Sequence, residues 1–214
     1  MPNYMAELIL TDRKVLLVGG GEVARRKLAG LLACQAEVLI VAPRLDPEVA
    51  EWVQQQKVHH QPGLFSPEIL DQKPGFSLVF AATSQAETNR EIALLCAKRG
   101  LLCNSADDPK VSGFLVPAMI RRGPVTLGVG TQGESPALSR LLKERLDGWL
   151  EPGWEDLTRL FGAMRQQVKE RVHPLQKRQI FWRETALAAE REERFLKKEN
   201  LAWFEKRLDE VSSE

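Results

Sequence analysis

Residues 14–32 read KVLLVGGGEVARRKLAGLL: an apolar run, three glycines, then apolar residues at helical spacing. Gly19, Gly21 and Ala24 match the pattern G-x-G-x-x-G/A. In that pattern the first glycine makes a tight turn and the second lets the backbone approach a pyrophosphate. The third small residue lets the helix pack close to the sheet. The stretch predicts a strand, a dinucleotide-binding turn and a helix. The alternative is a glycine-rich turn without a ligand.

The rest of the first half alternates between strand and helix patterns. Asp46-Pro47 and Ser66-Pro67 each combine a capping residue with a proline at the first helical position, so a helix is predicted to begin at each. A further helix is predicted over residues 85–100. Strands are predicted in four further apolar runs: EVLIVAP (37–43), KVHHQ (57–61), FSLVFAAT (76–83) and LLCNSAD (101–107). This alternation predicts an α/β fold, with a Rossmann-like parallel sheet and helices on both faces, over residues 1–112.

The pattern changes after residue 112. GFLVPAMI (113–120) and VTLGVGT (125–131) read as two strands of a hairpin, and a helix is predicted from Ser135-Pro136 to about Leu146. Residues 151–214 are charged and helical in period. Their apolar stripes comprise Leu157, Leu160, Phe161 and Met164, and later Leu196, Trp203 and Leu208. We expect this tail to have too little apolar surface for a core of its own, and to pack elsewhere on the protein or on a second subunit.

Composition excludes several classes of protein. The net charge of +1 gives no overall field that favours nucleic acid or a membrane surface. No apolar stretch approaches the ~18–20 residues that span a bilayer, and the N-terminus MPNYMAELIL lacks the pattern of a secretory signal. Cys34, Cys96 and Cys103 lie in apolar patterns, so we expect buried reduced thiols and a cytoplasmic protein.

The end of the second predicted strand bears on the choice of cofactor. NAD-binding sheets place an Asp or Glu there to hold the ribose hydroxyls, whereas this chain has Pro43-Arg44. Arg44 could meet the 2′-phosphate of NADP or lie in a solvated loop, so the motif alone leaves NAD and NADP open. The residues predicted to line the cofactor follow the first, second and fourth strands: Gly19, Gly20, Gly21, Glu22, Val23, Ala24, Pro43 and Thr83.

Two segments carry candidate chemistry. CNSADDPK (103–110) leaves the carboxyl end of a strand, which places Asn104, Asp107 and Asp108 near the nicotinamide, although these are also ordinary turn residues. Ser135 either caps a helix or helps to bind a carboxylate at the helix N-terminus. Bases in the same part of the chain suit an acidic substrate or a solvated face: Lys110, Arg121, Arg122, Arg140 and Lys143. The three histidines are not spaced for a metal site, so none is predicted.

Four segments in order resemble the precorrin-2 dehydrogenase module of siroheme synthases, which in some members is also a sirohydrochlorin ferrochelatase. They are VLLVGGGEVARRKLAGLL (15–32), VLIVAP (38–43), AATSQAETNREIA (81–93) and CNSADDPKVSGFLVPAMIRRGPVTLGVGTQGESPALSRLLKERL (103–146). The match covers roughly residues 5–147, and the tail resembles the family only in being helical. The chain departs from the family at Ser84 and Gln85, where acidic residues are common.

The resemblance implies a function and an assembly. Family members oxidise precorrin-2 to sirohydrochlorin with NAD, and some also insert ferrous iron. The implied organisation is a dinucleotide-binding domain (1–112), a central dimerisation segment (113–150) and a helical C-terminal region (151–214) in a homodimer. Asp107 matches the catalytic aspartate. Asn104 and Ser135 match residues of the substrate cleft, with Lys110 and Arg121 as bases for substrate carboxylates. No methyltransferase domain follows, so we expect methylation of uroporphyrinogen to belong to another protein.

Two other functions stay open on the sequence. The chain could be a sirohydrochlorin chelatase that does not use NAD, against which the glycine motif argues. It could also be a module that senses NAD without chemistry, against which the N-x-x-D-x-P segment at residues 104–109 argues.

Overall fold

The computed structural model of the chain describes residues 2–212. The chain divides into two compact units, Met1–Val116 and Pro117–Glu214. The functional division into three segments stays a prediction. Within residues 2–212 no helix is both long and apolar enough to cross a membrane.

The first unit contains a five-stranded parallel sheet, as predicted. Its strands lie in the order β3-β2-β1-β4-β5. They are β1 (Lys14–Val18), β2 (Glu37–Ala42), β3 (His59–Pro62), β4 (Leu78–Ala81) and β5 (Cys103–Ser105). The chain moves outward on one side from β1 to β3 and then returns to place β4 beside β1. This reversal is the topological switch point, where open α/β sheets bind ligands beyond the carboxyl ends of their strands.

Helices cover both faces of this sheet, which confirms the predicted fold class. They are α1 (Glu22–Ala33), α2 (Pro47–Gln54) and α3 (Ala86–Lys98). On one face Val15, Leu17 and Ile40 pack with Leu28 of α1 and Val49 of α2. On the other face Leu16, Val18 and Val79 pack with Ile92 of α3. The central strands are apolar on both sides because both faces are covered.

Several local predictions in the first unit need correction. Asp46 caps α2 as predicted, its Oδ1 accepting from the Glu48 N–H at 3.0 Å. Ser66, however, precedes only a 3₁₀ turn, Pro67–Asp71, without a side-chain cap. Its hydroxyl bonds the Glu68 carboxylate instead. Cys34 is only partly buried, whereas Cys96 and Cys103 are buried.

The second unit begins with an antiparallel hairpin of β6 (Ala118–Arg122) and β7 (Val125–Val129). The prediction of a strand from residue 113 was wrong, because the ladder starts at Ala118 and includes both arginines before the turn. Gly123, at φ +54°, supplies the left-handed backbone that a two-residue hairpin favours. Helix α4 (Pro136–Trp149) follows and runs a few residues past its predicted end.

The tail forms a small core of its own, so the expectation that it could not is wrong. It contains α5 (Trp154–Arg171), α6 (Leu175–Arg191) and α7 (Leu201–Ser212). The core combines residues of all three helices: Met164, Val168, Val172, Phe181, Phe204 and Leu208. Phe204 contacts four other aromatic rings, namely Phe161, Phe181, Trp182 and Trp203. Large rings let a few positions bury much apolar area. Leu196, expected on an apolar stripe, is 60% exposed.

Candidate active site

The glycine turn lies at the switch point between β1 and β4. Gly19 has φ +115°, and a Cβ there would overlap the carbonyl oxygen of Ala82, just beyond β4. A Cβ on Gly20 would overlap the carbonyl oxygen of Arg44, beyond β2. These two glycines are therefore required by the approach of neighbouring backbone, independent of any ligand.

Gly21 differs from its two neighbours. Its φ of −88° is open to any residue, and within residues 2–212 no atom beyond its own chain neighbours lies within 4 Å of the place that a Cβ would occupy. It is also the N-cap of α1, a helix without a side-chain cap, so no side chain satisfies its first N–H groups. Open space in front of a bare helix N-terminus fits a pyrophosphate. The residues present therefore fit a dinucleotide.

The other residues predicted to contact the cofactor lie around this turn. Glu22 and Val23 are exposed on the first turn of α1, so Val23 is not part of the buried stripe that the sequence indicated. Ala24 is fully buried against the sheet, where a small residue allows close packing. Pro43 is exposed just beyond β2, and Thr83 follows β4.

Asp107 lies in a hydrogen-bonded network beyond the carboxyl ends of β4 and β5. Its Oδ1 accepts from the Ser105 hydroxyl at 2.6 Å, and its Oδ2 accepts from the Asn89 amide at 3.1 Å. Asn89 belongs to α3 and also bonds Thr83. Asp107 is exposed, and its carboxylate oxygens have lone pairs that Ser105 and Asn89 do not use. These lone pairs can accept hydrogen bonds from a substrate.

The charge state of Asp107 follows from these contacts. Partial burial raises the pKa of its carboxyl, but hydrogen bonds from Ser105, from Asn89 and from the backbone of Asp107 and Asp108 outweigh it and lower the pKa. These bonds favour the charged form because a carboxylate is a pure acceptor. Asp107 is therefore ionised at neutral pH.

The sequence model of the protein family described as "Putative NAD(P)-binding" matches residues 7–118, just over half of the chain. The chain belongs to this NAD(P)-binding family. The family assignment accounts for the bare helix N-terminus and for the space beside Gly21.

Similar proteins confirm the resemblance found in the sequence. The chain is 40% identical over 180 residues to a siroheme synthase of Chromobacterium violaceum, covering 84% of this chain and 37% of that protein. It is 37% identical over 209 residues to siroheme synthase 2 of Aeromonas salmonicida, covering 96% of this chain and 42% of that protein. The chain thus spans about two fifths of these relatives.

A solved structure shares the fold. It is that of SirC, a precorrin-2 dehydrogenase, with a TM-score of 0.75 and 22% sequence identity over 99% of this chain and all of that one. At this identity the likeness establishes the fold, which agrees with the Rossmann-like sheet seen in this member of the NAD(P)-binding family.

Asn104 lies on the opposite face of the sheet from the Asp107 network. It is 5% exposed, its Oδ1 accepts from Lys27 Nζ at 2.6 Å and its Nδ2 donates to the Phe114 carbonyl at 3.0 Å. The amide therefore ties α1 and the segment after β5 to the sheet edge. Its predicted contact with substrate stays a prediction.

The remaining predicted residues are distributed over both units. Lys110 is an exposed residue two positions beyond Asp108 in the first unit. In the second unit, Ser135 caps α4 by accepting from the Leu138 N–H at 3.3 Å, and Arg121 is an exposed residue of β6. Arg122 pairs with Asp147 at 2.8 Å. Among residues 2–212 no group of three His, Cys, Asp or Glu residues is placed to hold a metal ion.

Two residues of the first unit escaped the sequence reasoning. Asn89 falls on the apolar stripe of α3 with Ile92, Ala93 and Cys96, so a polar residue inside a buried stripe was the available signal. Lys27 similarly lies between Ala24 and Leu28 on the buried side of α1. Its ammonium lies 5.2 Å from the centre of the Phe80 ring, and burial lowers its pKa.

Proposed function

We propose that this chain oxidises precorrin-2 to sirohydrochlorin, with NAD as hydride acceptor, in siroheme biosynthesis. The observation that carries the proposal is the ionised Asp107 carboxylate, anchored through both oxygens, at the same sheet edge as a turn that fits a dinucleotide. The similarity to siroheme synthases and to a precorrin-2 dehydrogenase supports a tetrapyrrole as the substrate.

The roles of the residues follow from their chemistry. Gly21 and the N-terminus of α1 would hold the pyrophosphate of NAD, with Glu22, Val23, Pro43 and Thr83 around the rest of the cofactor. When bound there, NAD would supply the acceptor for the hydride that leaves the substrate. Asp107 orients the substrate and accepts the proton that leaves with oxidation, and then releases that proton to solvent. Since its pKa is lowered, the carboxylate is ionised at neutral pH and is a weak base, which suits orientation of the substrate more than proton transfer.

The polycarboxylated substrate accounts for the predicted basic residues. We propose that Lys110 and Arg121 each bind a substrate carboxylate, and that Asn104 and Ser135 each contact the substrate. Ser135 has its hydroxyl engaged as the α4 cap, and its loop sits at a helix N-terminus, which also favours an anion.

We also propose that ferrous iron is a second substrate, inserted into sirohydrochlorin with lyase activity at the same carboxylate. The lone pairs of Asp107 that protein donors leave unused could accept the protons that pyrrole nitrogens lose on metal entry. This activity does not need a resident metal ion.

We propose a homodimer assembled through α4. No residue of α4 is buried, and one side of the helix carries exposed apolar residues at the spacing of a helix face: Leu138, Leu141, Leu142 and Trp149. A second copy would cover this stripe by placing its own stripe against it. We also propose that the protein works in the cytoplasm, where the free thiols of Cys34, Cys96 and Cys103 would stay reduced.

An anaerobic optical assay with precorrin-2 and NAD tests the function. Asp107→Asn should lower the rate of sirohydrochlorin formation at least ~100-fold while NAD affinity stays unchanged. Asp71→Asn, at an exposed carboxylate that pairs with Arg99, is the matched control and should retain full activity. An Asp107→Asn protein with normal turnover would remove the proposed role of this carboxylate.

A further inference from the structure

Asn89 is a buried polar residue with an unusual place in the fold. It is 1% exposed and lies in the second turn of α3, at the end of the stripe that packs on the sheet. A leucine would suit the apolar pattern of that stripe. Burying an amide costs free energy unless its donors and acceptors are hydrogen-bonded. The hydrogen-bond partners of Asn89 therefore indicate its role.

Asn89 uses its full hydrogen-bonding capacity at the candidate site. Its Oδ1 accepts from the Thr83 N–H at 2.9 Å and from the Thr83 hydroxyl at 2.8 Å. Its Nδ2 donates to the Thr83 carbonyl and to Asp107 Oδ2, both at 3.1 Å. Two acceptor and two donor positions are all that an amide has. Asn89 therefore joins the loop after β4 to the loop after β5.

The carboxylate of Asp107 depends on this junction because the residue is exposed. Its Oδ1 is fixed by Ser105, which is itself buried at the end of β5. The backbone of Asp107 and Asp108 also bonds the carboxylate, but both residues belong to its own loop. The Asn89 donor is the contact from α3: it holds Oδ2 and so helps to set the direction of the outward lone pairs.

We infer that Asn89 is a positioning residue for the dehydrogenase reaction: it aims the Asp107 carboxylate at the substrate and holds Thr83 beside the cofactor turn. The inference rests on the proposed function for its effect on turnover. The structural part does not, because the hydrogen bond between Asn89 and Asp107 can be observed without any substrate.

Two variants separate the roles of this amide. Asn89→Asp keeps an acceptor for the N–H and hydroxyl of Thr83 but replaces Nδ2, which donates to Asp107 and to the Thr83 carbonyl, with a carboxyl oxygen. Asn89→Leu has a similar volume and removes donor and acceptor together. Glu91→Gln, on the exposed side of α3, is the matched control and should behave as the wild type.

The titration of Asp107, followed by carbon NMR of its labelled carboxyl group, is the first readout. In the Asn89→Leu protein its midpoint should move up by roughly half to one pH unit, because one hydrogen bond to the charged form is lost. In the wild type the Asn89 side-chain amide signal should shift with the same midpoint. An amide signal that ignores the Asp107 titration would overturn the inference, even if neither variant folded.

The pH profile of turnover is the second readout. In Asn89→Asp, kcat should fall about ten- to a hundredfold at pH values where both carboxyls are ionised. It should recover at lower pH, where a proton on the introduced carboxyl restores the donor. Folded variants with the wild-type profile and the wild-type Asp107 midpoint would overturn the inference. A wild-type protein that does not oxidise precorrin-2 would instead refute the proposed function, and the NMR result would still decide the role of Asn89.

Discussion

The glycine turn allows a sharp test, because its glycines are required for different reasons. Gly21→Ala adds a methyl group where the protein leaves open space and at a φ that alanine adopts freely. Alanine is a poorer N-cap than glycine, by about 0.5–1 kcal/mol, but it gains about 0.4–1 kcal/mol from the reduced entropy of the unfolded chain. The free energy of unfolding of the variant should therefore lie within about 1 kcal/mol of the wild-type value.

The same methyl group should weaken cofactor binding. It would lie between the N-terminus of α1 and the pyrophosphate, and would displace the phosphates from the N–H groups. We expect at least a tenfold loss of NAD affinity, which corresponds to about 1.4 kcal/mol. Calorimetric titration with NAD, combined with urea unfolding of the same samples, measures both quantities.

Gly19→Ala is the matched comparison. Its left-handed backbone costs alanine about 1–2 kcal/mol, and the overlap with the Ala82 carbonyl adds to that because a backbone atom cannot simply rotate away. This variant should lose stability as well as NAD binding. A Gly21→Ala protein that binds NAD as tightly as the wild type would refute the reasoning, because the open space would then not be the pyrophosphate site.

Three further predictions concern stability and pH. Ser135→Ala should lower the free energy of unfolding of the second unit by about 0.5–2 kcal/mol in urea, since it removes the α4 cap; equal stability would contradict the capping role. Phe204→Ala should cost about 3–5 kcal/mol, and a loss below about 1 kcal/mol would show that the helical tail has no core of its own. The pKa of Asp107 is lower in the folded protein than in the unfolded chain, so its ionised form stabilises the fold at pH values above the unfolded pKa. This stabilisation is lost as the pH falls through the pKa of the folded protein. Turnover should therefore show no decline from Asp107 protonation between about pH 8 and pH 5, as a pH profile of kcat/KM can check.

Much of the first unit could be predicted because its signals are local. The apolar runs of β1, β2 and β4 are buried on both faces, and the glycine turn, Asp46 and Gly100 mark where helices begin and end. The core of the tail could not be predicted in the same way. Phe161, Phe181 and Phe204 come from three different helices, and charged residues are frequent in the segments between them. Only their packing shows that they form one cluster.

The candidate site, too, could be predicted from the sequence only in part. Asp107 stood out by its place after a strand and by the family resemblance, and the structure adds its partners Ser105 and Asn89. Asn89 lies eighteen residues from Asp107 along the chain, so only the pairing of β4 with β5 brings them together. Asn104 and Ser105 are successive residues of β5, so their side chains face opposite sides of the sheet. The Ser105 hydroxyl therefore bonds Asp107, whereas the Asn104 amide bonds Lys27 on the α1 face.

The most direct test of the proposed dehydrogenase activity is the stoichiometry of the reaction. The full chain is mixed with precorrin-2 and NAD without oxygen or added metal, and NADH and sirohydrochlorin are quantified together. We predict equimolar NADH and sirohydrochlorin, and no reaction when NAD is omitted. Sirohydrochlorin that forms equally fast without NAD, or a folded protein that binds NAD and leaves precorrin-2 unchanged, would contradict this prediction.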